Sequence, residues 1–158
     1  MLSRPHSDRY GVAKIGARLQ SGEILVAPGA YDALTARLLE QAGCDCINTF
    51  SGARLRANGM GTMSMMWPIL DSNRQTLDYT AQDILPALTG RAFVCACLNA
   101  NDPLRDMRSV LEHLLAIGVP SVSNISPSIG YVDKDSNLFK VLTSSGISLQ
   151  HEIEMLHL

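Results

Sequence analysis

Four short strand-like runs, each followed by a helical stripe, limit what this chain can become more than any other feature. They are residues 24–27, 44–50, 92–98 and 121–125. Each has the length of a β-strand and ends at a turn-forming or polar residue. The first, Ile24-Leu25-Val26-Ala27, is continuously apolar and stops at Pro28-Gly29. That pattern suits a strand buried on both faces.

The intervening segments carry helical periodicity. Residues 10–20 place Val12, Ile15 and Leu19 near one face before Ser21-Gly22, which predicts a leading helix within residues 1–22. Asp32 is placed to cap a helix over 33–42, with Leu34, Leu38 and Leu39 as its inner stripe and Gly43 as its stop. Strand two ends at Ser51-Gly52, and a long connection over 53–73 holds Gly59, Gly61 and Pro68. A helix over 76–88 follows, with Leu77, Ala81, Ile84 and Leu85 in register and Pro86 near its end. Asp102-Pro103 predicts the next helix start, with Asp at the cap and Pro at the first turn, before the stripe Leu104, Met107, Leu111, Leu114 and Leu115. Two short helices are expected over 137–143 and 149–158.

One helix and then four βα units imply an α/β fold with a parallel sheet and right-handed crossovers. A doubly wound sheet and a barrel both satisfy that order. No G-x-G-x-x-G follows the first strand, so dinucleotide binding lacks its fingerprint. The expected architecture is a single domain over 1–158, the N-terminal part of a parallel (β/α) barrel of TIM type. A full barrel takes ~250 residues, and 158 residues supply about four βα units. Truncation of a longer barrel is the favoured explanation, with two mutually completing copies or an open sheet as alternatives.

Net charge is −2, which gives no electrostatic footprint for nucleic acid or an anionic membrane surface. No apolar run is long enough to span a bilayer and no signal-peptide core is present, so a cytoplasmic protein is expected. The four cysteines form two C-x-C pairs, Cys44/Cys46 and Cys95/Cys97. If their strands are neighbours the sulfurs approach one another. Buried packing is the first expectation and a zinc site the second.

Candidate site residues lie at strand ends, where barrels place their chemistry. Ser51 and Gly52 are placed to hold an anionic group or to form a plain turn. Gly59 and Gly61 would let a loop approach an anion, with Arg54 and Arg56 as charge partners. Asp71 and Asn73 precede a helix and serve as caps or ligand contacts. Asp102 has the same two roles. Asn124 either faces inward to a substrate oxyanion or outward to local backbone. His6, His113, His151 and His157 are scattered, and none lies at a strand end. Met60, Met63, Met65, Met66 and Trp67 make the long connection apolar, which suits a neighbouring subunit in a homo-oligomer.

The stretch from Ala27 to Ala36 resembles the first-strand motif of the phosphoenolpyruvate mutase/isocitrate lyase superfamily. Ser51-Gly52, Arg56, Gly59-Met60-Gly61, Pro68, Asp71-Ser72-Asn73, the Asn101-to-Met107 block, Ser123-Asn124 and the Glu152-to-Met155 block are similar to its phosphoenolpyruvate-hydrolase-like TIM-barrel members, also described as signal-transduction proteins. The resemblance implies an enzyme acting on a small phosphorylated or carboxylated α-keto acid through an enolate-like intermediate. Ser51 and Gly52 would bind its anionic group, Asp102 and Asn124 would be catalytic, and Arg56, Gly59, Gly61, Asp71 and Asn73 would line the site. Asp102 would hold Mg²⁺. Lyases and mutases of the superfamily carry several acidic residues where this chain has Asn99, Asn101 and Asn124, and the isocitrate lyase cysteine loop is not visible. A non-catalytic ligand-sensing domain, or an inactive truncated fragment, is the alternative.

Overall fold

The computed structural model describes residues 8–61, 71–102, 104–124, 129 and 132–156. The methionines and Trp67 of the 62–70 stretch, Pro68, Pro103, Ile125, His6 and His157 lie outside them. Helix α1 (Asp8–Gln20) leads. Then follow β1 (Gly29–Ala30), α2 (Ala33–Gln41), β2 (Cys46–Thr49), α3 (Ser51–Ala57), α4 (Ser72–Tyr79) and α5 (Leu85–Ala87). β3 (Phe93–Leu98), α6 (Met107–Ala116), β4 (Ser121–Asn124), α7 (Asn137–Ser144) and α8 (Leu149–Leu156) complete the order.

The four strands form one sheet in the order β1-β2-β3-β4, and every pair is parallel. Sequential neighbours joined by helices are what the βα alternation predicts. Alternation along the strands divides the sheet into two faces. Ile47, Val94, Ala96 and Leu98 face the helices and pack with Tyr79, Ile84, Val110 and Leu114 in the core. Thr49 lies on this face too, and Thr80 Oγ1 meets its hydroxyl at 2.8 Å. The opposite face carries Cys46, Asn48, Cys95, Cys97, Ser121 and Ser123, set level by the register Asn48↔Cys95↔Ser121 and Cys97↔Ser123.

The first strand differs from expectation. Pairing is confined to Gly29–Ala30, and Ile24 and Val26 are exposed rather than buried. β1 is an edge, and a continuous apolar run cannot report whether a further strand stands beside it. Leu34 and Leu38 are exposed for the same reason, because α2 packs through Ala36, Leu39 and Glu40 and leaves its other flank uncovered. Asp32 caps this helix as expected, accepting from the Thr35 N–H at 2.7 Å.

The segment after α4 is a π-helical turn (Thr80–Ile84) that runs into α5. The Leu85 N–H reaches back to the Thr80 carbonyl, one residue before Pro86, which has no N–H to give. The helix expected over 76–88 thus begins earlier, at Ser72, because Asp71 caps it through the Arg74 N–H at 3.0 Å. The helix expected at Asp102-Pro103 begins instead at Met107, capped by Asp106 through the Ser109 N–H. Leu104 and Leu115 are accordingly exposed, and Val110 and Leu114 make the buried face.

All four cysteines are free thiols. Cys46, Cys95 and Cys97 are buried and Cys44 is half-buried. Hydrogen bonds from Cys46, Cys97, Ser121 and Ser123 favour Cys95 as the thiolate of the three, while donation to Cys95 and burial push Cys46 and Cys97 upward. Among the described residues no group of three or more His, Cys, Asp or Glu is arranged to hold a metal. Under native conditions a thiol-specific reagent is expected to label Cys44 alone at an early time, and all four after unfolding. Rapid native labelling of three or four thiols would contradict this burial.

Candidate functional site

Parallel strands place all their C-terminal ends on one rim, and the connections leaving it bring most of the sequence-derived candidates there. Ser51 and Gly52 follow β2 directly, but as the first turn of α3 rather than as a plain turn. Both are buried. The Ser51 N–H donates to Thr76 Oγ1 at 2.9 Å, which ties α4 to the end of β2. That donor is therefore engaged within the protein.

Asn73 lies one turn earlier on α4 and is 2% exposed. Its Nδ2 donates to the Asn99 carbonyl at 2.9 Å and to Asp102 Oδ2 at 2.8 Å, and its Oδ1 accepts from the Asn99 N–H at 2.8 Å. One amide thus clamps the end of β3. Arg105 completes the cluster. Its Nη1 donates to Asp102 Oδ2 at 2.7 Å and its Nη2 to Asp71 Oδ2 at 2.6 Å. Asp102 Oδ1 accepts from the Leu104 N–H at 2.8 Å. Partial burial pushes the Asp71 carboxyl up, but the Arg105 guanidinium and the Arg74 N–H outweigh it and hold the group below the usual carboxylate range.

A second cluster joins β3 to the C-terminal helix. Buried Glu152 on α8 accepts from Asn101 Nδ2 at 3.1 Å and from the Ile129 N–H at 2.9 Å, while Asn101 Oδ1 accepts from the Ser148 N–H. Asn124 shares the helix-side face of Leu98, its register partner, and its Oδ1 accepts from the Ala100 N–H at 3.3 Å. This is the outward placement of the two expected for it.

Arg56, Gly59 and Gly61 lie apart from these clusters, on and after α3. Gly59 has φ +81 and ends α3, with its N–H bonded to the Arg56 carbonyl and the Met60 N–H to the Leu55 carbonyl. A left-handed stop of this kind selects glycine without reference to any ligand. Arg56 lines a cleft of about 580 Å³ with Gly29, Tyr31, Phe50, Ala53 and Ala57, at the ends of β1 and β2. Its guanidinium lies 5.3 Å over the Phe50 ring. A Cβ at position 29 would come within 2.9 Å of the Phe50 ring, so any larger residue there would push the ring aside.

The Mg²⁺ implied for Asp102 can be tested on these contacts. A hard cation needs several oxygen ligands. Asp102 is surrounded by N–H donors from Asn73, Leu104 and Arg105 instead. The residues as they stand do not fit the ion. Sequence reasoning did not single out Arg105, Asn99, Asn101 or Glu152 as site residues. The signal for the first was its i+3 spacing from Asp102. For the asparagines it was the polar run that follows the apolar β3.

No described helix is long and apolar enough to cross a membrane. Two tomato (Solanum lycopersicum) proteins, the tomato mosaic virus (ToMV) resistance protein Tm-1(GCR237) and the ToMV susceptible protein tm-1(GCR26), are each 29% identical over 143 residues. The match takes in 90% of this chain and 18% of either tomato protein, so the chain spans about a fifth of these relatives. Among solved structures, a candidate lyase/mutase from Burkholderia cenocepacia J2315 is 27% identical at TM-score 0.51, over 75% of this chain and 40% of its own. Phosphonopyruvate hydrolase in complex with oxalate and Mg²⁺ aligns at TM-score 0.53 and 16% identity, over 89% of this chain and 50% of its own. The latter likeness concerns the fold, and the four parallel strands correspond to part of such a barrel. Residues 12–158 match the phosphoenolpyruvate hydrolase-like family throughout, and the chain belongs to that family.

Proposed function

We propose that this chain contributes the first four βα units of a phosphoenolpyruvate hydrolase-like barrel and binds a small phosphorylated or carboxylated α-keto acid, or its enol form, in the cleft between β1 and α3. The observation that carries this reading is the cleft itself, in a member of this family. Arg56 stands beside the aromatic walls Tyr31 and Phe50 at the strand ends, next to the close approach at Gly29. A guanidinium offers paired donors to a carboxylate or phosphate. The reaction class would be C–O, P–C or C–C cleavage through an enolate-like intermediate, with Arg56 countering the negative charge. Ser51 and Gly52 would act behind this wall by seating α3. Asn73, Asp71 and Asp102 would set the adjoining rim.

A non-catalytic ligand-sensing domain is the second reading. It is favoured by the commitment of the rim carboxylates, Asp71, Asp102 and Glu152, to donors within the protein. Calorimetric titration with oxalate and phosphoenolpyruvate, together with an assay for pyruvate release, separates the two. Binding with turnover supports the enzyme, and binding without turnover supports the sensor. Arg56→Ala is expected to weaken binding about 10- to 100-fold, the worth of hydrogen bonds to a charged group. Gly29→Ala should weaken it too by crowding Phe50, at a stability cost of about 1 kcal/mol. A folded protein that binds neither acid would overturn both readings.

A further inference from the structure

We infer that Arg105 is a tethered cation that occupies the β3 rim in place of a divalent metal ion, so that this rim is indifferent to Mg²⁺ while Arg105 is present and becomes a cation site when its charge is removed. The geometry is that of a bridged pair of carboxylates. Asp71 comes from the cap of α4 and Asp102 from the end of β3, and one guanidinium spans both at 2.6 and 2.7 Å. The two nitrogens of a planar fork meet two oxygens from different elements, which a flexible ammonium group could not do with equal definition.

Burial makes the arrangement consequential. The Asp102 side chain is 4% exposed, against 20% for Arg105 and 40% for Asp71. A carboxylate this buried needs a compensating charge. Asn73 Nδ2 and the Leu104 N–H supply dipoles, but among the described residues Arg105 is the cation in contact with it. An inner ion would have to displace the guanidinium from both carboxylates. With Arg105 truncated, the Asp71 and Asp102 oxygens that it bridges face one another without a compensating charge. That is the donor set a hard cation takes, with waters filling the remaining positions.

The test does not depend on any acid binding in the neighbouring cleft. Mn²⁺ serves as the probe, followed by its paramagnetic resonance and by the melting temperature of the protein. The native chain should show no bound Mn²⁺ at millimolar concentration and no change in melting temperature with Mg²⁺ or chelator. Arg105→Ala should melt lower than the native chain, regain part of the loss when Mn²⁺ is added, and bind it with a dissociation constant of about 10⁻⁴ to 10⁻³ M, typical of weak oxygen-ligand sites. Arg105→Lys keeps a charge and should stay indifferent. Mn²⁺ binding to the native chain that is lost in Asp102→Asn would overturn the inference. So would a folded Arg105→Ala protein that ignores the ion. If Arg105→Ala does not fold, the native, Arg105→Lys and Asp102→Asn titrations decide the matter.

Discussion

Replacing Glu40 by alanine is expected to lower the stability of the folded chain by about 2–4 kcal/mol, the cost of removing a buried carboxylate that holds a whole turn of backbone donors. Glu40 is 3% exposed, on the inner side of α2. Its two oxygens accept five hydrogen bonds from the segment that enters β3. Oε2 takes the Thr89 N–H at 2.8 Å and the Thr89 hydroxyl at 2.9 Å. Oε1 takes the N–H groups of Gly90, Arg91 and Ala92 at 3.1, 2.9 and 3.3 Å. Truncation would leave the N–H groups of Thr89, Gly90, Arg91 and Ala92 without this acceptor, and Ala92 among them is buried. Glutamine would be nearly as damaging, since its amide nitrogen must point a donor at donors. A domain of this size holds about 5–15 kcal/mol in all. The melting temperature should therefore fall on the order of 10 °C, measured by thermal and urea unfolding. A change under 1 kcal/mol would show that these bonds are not made.

The same carboxylate gives the fold an acid-sensitive component. Burial raises the Glu40 pKa, but the combined hydrogen bonds from Thr89, Ala92 and Arg91 outweigh it and hold the group below its ordinary value. A group lower in the folded than in the unfolded state adds stability above its unfolded pKa, near 4.5. That contribution declines as pH falls below this value and is gone below the folded pKa. The native chain should lose stability on acidification through this window, and Glu40→Gln should lose less, because it has no charge to titrate.

Glu40 also shows where the sequence is silent. The βα order is legible because strand and helix differ in period, and the parallel sheet follows from that order. Which face of a helix is inner is a tertiary fact. Leu34 and Leu38 outrank Ala36 and Glu40 in hydrophobicity, yet α2 turns the latter pair inward because Glu40 satisfies a whole turn of backbone before β3. The misplaced helix start has a similar cause. Asp102 and Asp106 are both plausible caps by residue type. Contacts with Asn73, 29 residues before it, and with Arg105, three residues after it, draw Asp102 into the rim and leave Asp106 to start α6. In the candidate site, strand-end position located Ser51, Asp102 and Asn124 near the rim. It carried no information on which of their donors and acceptors the protein itself consumes.

Asn73 is the position where that internal consumption has its largest expected effect. Asn73→Ala removes three hydrogen bonds at a site 2% exposed, one of them to a carboxylate, and leaves the Asn99 N–H and carbonyl without partners. The expected loss is about 2–4 kcal/mol, since each unsatisfied buried group costs about 1–3 kcal/mol and the cavity admits some water. Asn73→Asp separates shape from charge. It keeps an acceptor for the Asn99 N–H but sets a second carboxylate where the amide now donates to Asp102 at 2.8 Å. Like charges this close raise the pKa of the pair, so the folded state binds a proton that the unfolded state releases. The deficit of Asn73→Asp relative to the native chain should therefore be large at pH 7 and shrink as pH falls toward 5. Asn73→Ala, with nothing to titrate, should show a constant deficit. Urea unfolding of the three proteins at both pH values measures this directly, and an Asn73→Asp deficit that does not change with pH would show that residue 73 does not face Asp102.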